Sequence, residues 1–72
     1  MEIDKIKFLV AMARSKQSIT SLSIASGIGR VTLSALKNGR LATVEPLTLG
    51  KLADALGVDV TELIKDRKEA TV

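Results

Sequence analysis

Apolar residues recur along this chain at helical spacing and in short bursts, and each burst is closed by glycine or by a polar pair. Ile3, Ile6, Val10 and Ala13, with Leu9 beside them, make the first burst. Asp4 stands at its start, where a carboxylate accepts from the free N–H groups of a helix end. The spacing predicts a helix that stops near residues 15–17. Ser18 or Thr20 offers the next cap, with Leu22 and Ala25 facing inward from a second, short helix. Gly27 ends it, because glycine takes up the left-handed conformation needed for a sharp turn. Ile28 follows and drops into the core beneath that turn. A third helix is predicted from Gly29 or Arg30 to Asn38, held by Leu33 and Leu36, and the Asn38-Gly39 pair stops it. Residues 40–44 read as a loop.

Glu45-Pro46 opens a fourth helix, since proline in a first turn gives up an N–H that has no partner there. Leu47, Leu49, Leu52, Ala53 and Leu56 form its apolar stripe and Gly57 closes it. Gly50, in its middle, is expected to permit close helix contact. Asp59 and Glu62 read as a capping-box variant opening a fifth helix with Val60, Leu63 and Ile64. No internal repeat, linker or low-complexity segment interrupts the series. The fold class that follows is all-α, a compact five-helix bundle.

Composition narrows this reading. With 72 residues the chain has room for one domain, and with no cysteine and no histidine it has neither disulfides nor the common zinc ligand sets. No metal or cofactor is expected, and the serines and threonines lack an evident activating base, so no enzyme is expected either. The absence of cysteine fits a reducing cytoplasm. No signal-peptide core or membrane-spanning run is visible. Phe8 is the one aromatic residue, which suits short packed helices better than a sheet and disfavours single-strand binding by base stacking.

The formal charge of +3 matters less than where it lies. Residues 5–44 hold seven bases (Lys5, Lys7, Arg14, Lys16, Arg30, Lys37, Arg40) and no acid, while the rest holds eight acids and four bases, so +7 and −4 give the net +3. A concentrated basic field is the footprint of a polyanionic partner.

Within that basic segment runs L-S-I-A-S-G-I-G-R-V-T-L-S-A-L-K-N-G, residues 22–39. A short helix leads to the turn at Gly27, Ile28 anchors the turn, and Leu33 and Leu36 pin the next helix. Arg30, Val31, Ser34 and Ala35 are then left facing outward. A helix held by one face and offered by the other is what a helix-turn-helix needs to enter the major groove. Arg30 can give two parallel donors to guanine O6 and N7, and Val31 and Ala35 offer apolar surface to a thymine methyl. Lys37 and Arg40 suit phosphate oxygens, which position a protein without reading sequence.

The segment resembles the Cro and phage-repressor family of helix-turn-helix regulators. G-I-G-R-V-T-L-S-A-L-K-N-G looks especially like the lambda-type repressor turn, and E-P-L-T-L-G-K-L-A-D-A-L-G-V-D-V-T-E-L-I resembles the family's two closing helices. The resemblance spans roughly residues 4–65. It implies a bundle of the lambda-repressor-like type, with residues 1–66 the DNA-binding domain; residues 67–72, with little apolar content, read as a frayed tail. By that resemblance the helix over residues 30–38 reads DNA, Arg30, Val31 and Ala35 match base-reading positions, and Asn38 matches a phosphate contact. Two positions depart from the family. Ile19 stands where many members carry a glutamine that steadies the first reading residue, and Gly29 replaces the usual serine or threonine cap.

The implied function is a sequence-specific regulator, a Cro-like repressor of phage or mobile-element type that binds a double-stranded DNA operator in the cytoplasm. The implied state is a homodimer, because one such helix spans only a few base pairs. Val58, Val60 and Ile64 are the expected dimer interface, crowded with Leu56 and Leu63 into the last part of a small domain. The alternative, which Ile19 favours, is a protein-interaction module of the same fold whose partner is a repressor protein or a toxin.

Overall fold

The computed structural model describes residues 1–65 of the chain. Helix α1 runs Lys5–Ser15, and the Asp4 carboxylate caps it by accepting from the amides of Ile6 at 2.9 Å and Lys7 at 3.1 Å. Its core face is Phe8, Ala11 and Met12. The apolar series set out by the sequence is therefore split. Ile3 is buried ahead of the helix, whereas Ile6 and Val10 are 63% and 50% exposed and Ala13 is exposed. At about 100° per residue, Ile6–Val10 and Phe8–Met12 fall on opposite sides of the helix, and the bulkier pair takes the core.

Helix α2 spans Ile19–Ser26. Ser18 caps it in a reciprocal box with Ser21, each hydroxyl accepting from the other residue's amide. Leu22 is fully buried as expected, but Ala25 is exposed and the inward place is taken by Ser26. Gly27 ends α2 with φ 76°, a left-handed conformation open to glycine without strain. Helix α3, Arg30–Asn38, buries Leu33 and Leu36 and ends at Gly39 with φ 80°. Asn38 itself stays helical, so the glycine alone makes the stop.

Helix α4, Pro46–Leu56, buries Leu49, Leu52, Ala53 and Leu56. Leu47 is an exception to the expected stripe, at 69% exposed. The expectation of close helix contact at Gly50 fails, since a Cβ built there meets nothing within 4 Å.

The fifth helix of the expected bundle is absent. Asp59 and Glu62 do form the capping box, but it opens only one 3-10 turn, Val60–Glu62. The chain then drops Leu63, fully buried, into the core and pairs Ile64 with Ile3 in an isolated antiparallel bridge. Pairing to the N-terminal segment draws the backbone out of helical geometry, so the described residues form four α-helices and one short turn. The expected tail, residues 67–72, lies outside the described residues.

The N-terminal segment lies between the loop after α3 and the segment after the 3-10 turn, and bonds to both. The Ile3 amide donates to Ala42 O at 2.7 Å, the Val44 amide to Met1 O at 2.9 Å, and the Asp4 amide to Leu63 O at 2.8 Å. Helix α1 packs on α3, α4 and the 3-10 turn, and α2 packs on α3 and α4, while the backbones of α3 and α4 stay apart. The outer faces of α3 and α4 are thus separate surfaces of one core built on Phe8, Leu22, Leu33, Leu36, Leu49, Leu52 and Leu63.

Candidate nucleic-acid interface

Two leucines hold α3 to the body. Leu33 and Leu36 are 0% and 1% exposed, and burying each contributes roughly 1.5–3 kcal/mol. Every other side chain of the helix is half-buried or exposed. Val31 and Asn38 project opposite the leucine edge, and Val31 is 83% exposed. Ser34 and Ala35 flank them half-buried, while Arg30 and Lys37 project at the two ends of the helix. At 83% exposure Val31 gains little from burial within the chain and stands on the open face of the helix.

The turn that presents α3 is held by two serines whose part the sequence did not disclose. Ser23 and Ser26 bind the two sides of one residue. Ser26 Oγ accepts from the Ile28 amide at 3.1 Å, and Ser23 Oγ donates to the Ile28 carbonyl at 2.6 Å. Ile28, 8% exposed, is fixed through both backbone groups and its side chain. Serines three apart just before a glycine are a detectable signal, since both hydroxyls can reach the main chain of the turn.

Gly29 opens α3 without a side-chain cap hydrogen bond, as its lack of a side chain requires. Ile19, in the place of the family's glutamine, packs half-buried against the core.

The basic segment divides in space. Arg14 Nη1 lies 2.9 Å from Glu62 Oε1, and Lys7 Nζ donates to the Ile64 carbonyl at 3.0 Å, so both serve the C-terminal end of the fold. Among the described residues, Arg30, Lys37 and Arg40 form no ion pair and are exposed. Lys5 joins them. Its Cδ would be 3.4 Å from a Cβ placed on Gly39, and its Nζ 3.9 Å, so its stem lies over the end of α3. The result is an α3 whose outward face is neutral and small, edged by cations from α1, α3 and the following loop.

The expected dimer residues do not gather in one place. Val58 packs half-buried against the core and shares a groove on α4 with Val60, which is 36% exposed. Ile64 also packs against the core, but beside Met1, Glu2 and Lys65.

No helix among the described residues is long and apolar enough to cross a membrane. No curated protein and no solved structure matches the chain. The profile of the Cro/C1-type HTH DNA-binding domain matches residues 7–69, which takes in all four helices beyond the first two residues of α1. A turn fixed around Gly27, a leucine-pinned helix with an open face, and a family match over nearly the whole chain agree, and the chain belongs to the Cro/C1-type helix-turn-helix DNA-binding domains.

Proposed function

We propose that this domain is a sequence-specific, operator-binding transcriptional regulator of the Cro or repressor kind, reading the major groove with α3. The observation that carries this reading is the outward face of α3. It carries an exposed Val31 and a half-buried Ala35, and it is edged by Arg30 and other cations without acidic partners among the described residues. Arg30 takes guanine O6 and N7, Val31 and Ala35 meet thymine methyls, and Ser34 reaches an adjacent base edge. Lys37, Asn38 and Arg40 hold phosphates and set the register of the helix. The position of Lys5 over Gly39 adds a fourth phosphate-binding side chain, from α1. A two-fold dimer, with Val58 and Val60 at its contact, brings two such helices to a pseudo-palindromic site.

Protection mapping on the DNA flanking the domain's own gene tests the reading. A discrete protected site whose affinity falls steeply with salt supports it. Uniform weak binding to all duplexes contradicts sequence-specific regulation.

A second reading rests on Ile19. Its apolar side chain cannot make the polar contacts of the family's glutamine, which favours a module that binds a repressor or a toxin instead. A stable complex with a co-encoded protein, formed in the absence of duplex, is the outcome that selects this reading.

A further inference from the structure

The outward face of α3 is short of hydrogen-bonding groups. Val31, Ser34, Ala35 and Asn38 fall at i, i+3, i+4 and i+7, one strip along the helix, opposite the buried Leu33 and Leu36. Val31 is 83% exposed in the first turn, the end that a helix-turn-helix directs at base edges. Along the strip, the polar group near Val31 is the hydroxyl of half-buried Ser34, which can donate or accept. Asn38 stands about 10 Å further along the helix. Residues 5–44 contain no Asp or Glu, so the whole helix-turn-helix segment offers no carboxylate to accept from a base.

We propose that Val31 reads the C5-methyl group of a pyrimidine without telling thymine from 5-methylcytosine, so that affinity for the operator depends on cytosine methylation. In the major groove the two methylated bases differ at position 4, an acceptor oxygen in thymine and a donor amino group in cytosine. Choosing between them takes a side chain that only donates or only accepts, set against that position. Val31 does neither, and Ser34 satisfies either. Arg30, a pure donor, is drawn to guanine, whose O6 and N7 both accept. The methyl group is then what Val31 has to hold, and unmethylated cytosine lacks it. The Cα atoms of Arg30 and Val31 are about 3.8 Å apart, close to the roughly 3.4 Å rise between bases, which places the methylated pyrimidine beside the guanine. Ala35, one turn on and half-buried, adds a smaller apolar contact about 6 Å along the helix. All of this rests on the proposed entry of α3 into the major groove, and it extends that reading from base sequence to base modification.

The groove between α1 and the 3-10 turn, lined by Ile6 and Val10, is a weaker candidate. The charges on its rim, Arg14 and Glu62, already pair within the chain.

The test is fluorescence anisotropy on a duplex that the domain selects from a random-sequence pool. Each thymine of that duplex is replaced in turn by uracil, which removes the methyl and nothing else. At the most sensitive site the T·A pair is then replaced by C·G, with and without a C5-methyl on the cytosine. Loss of the thymine methyl should weaken binding about fourfold, the value of one buried methyl-sized group. Methylating the cytosine should strengthen binding by about the same factor. Val31→Ser, at a position 83% exposed, keeps the fold and should bind the methylated and unmethylated C·G duplexes equally. A wild type that binds those two duplexes equally overturns the proposal, and so does a methyl preference that Val31→Ser leaves intact. A specific duplex bound without regard to the methyl defeats this inference alone, whereas a domain that selects no duplex defeats the regulator reading with it.

Discussion

At the scale of single residues, Arg30 carries the sharpest consequence. A bidentate arginine–guanine contact discriminates by roughly 1–3 kcal/mol. Arg30→Ala is therefore expected to flatten preference at one base pair per half-site while leaving other positions unchanged. Competition binding against a panel of single-base operator variants checks this, and an unaltered preference profile removes Arg30 from the reading face. Ser26 bears on presentation rather than contact. Its hydroxyl is the acceptor for the buried Ile28 amide, and an unsatisfied buried donor costs about 1–3 kcal/mol. Ser26→Ala should lower the unfolding free energy by that amount in urea titration, whereas the exposed Ala25→Ser should leave it almost unchanged. Equal stabilities for the two variants would show that the turn does not depend on the serine.

At the scale of elements, each connection is made by a local device, and that governs what the sequence made legible. The caps at Asp4 and Ser18, the stops at Gly27, Gly39 and Gly57, and the proline at the start of α4 are short-range chemistry; all fall at positions the sequence offered, with Ser18 rather than Thr20 as the second cap and Gly39 without Asn38 as the third stop. The face a helix buries is a long-range matter. Helix α1 carries apolar side chains on two sides, and spacing does not tell which side meets the rest of the fold. Phe8 and Met12 fill the core and Ile6 and Val10 do not. The last element shows the same limit. The capping box of Asp59 and Glu62 is real, but the Ile3–Ile64 bridge, formed across the length of the chain, ends the helix after one turn. The outward residues of α3 were legible because Leu33 and Leu36 left one arrangement. Lys5 was not, because only the tertiary packing of α1 brings its side chain over Gly39.

The short turn also sets a pH response. The Thr61 hydroxyl, and then its amide, donate to the Asp59 carboxylate and hold its pKa below the ordinary value. A depressed folded pKa contributes stability that is present above the unfolded value and lost as pH falls through the folded one. The Thr61 amide resonance should therefore stay fixed from neutral pH down to the usual carboxylate range and move only below it. Movement centred at or above the ordinary aspartate value contradicts the hydrogen-bonded geometry.

At the scale of the whole molecule, the N-terminal segment joins parts that the helices leave apart. Ile3 is 3% exposed and its amide bonds Ala42 in the loop after α3. Ile3→Ala should cost about 2–5 kcal/mol, the range for truncating a buried isoleucine, and a fall below about 1 kcal/mol in urea unfolding would deny the segment its place in the core. The same organisation leaves the outward face of α3 and the outer side of α4 on separate surfaces of one core. Electrostatics divide likewise. Lys7 and Arg14 are spent on the C-terminal end of the fold, and Lys5, Lys37 and Arg40 surround α3.

Operator binding of this kind requires α3 to enter the major groove with those cations on phosphates. The most direct test is the salt dependence of operator binding, measured by fluorescence anisotropy for wild type, Lys37→Ala, Arg40→Ala and Lys5→Ala. Each substitution should weaken binding to all sequences about equally and reduce the slope of log K against log salt by roughly one unit for each phosphate no longer neutralised. A slope identical to wild type in all three variants would contradict the placement of α3 on DNA.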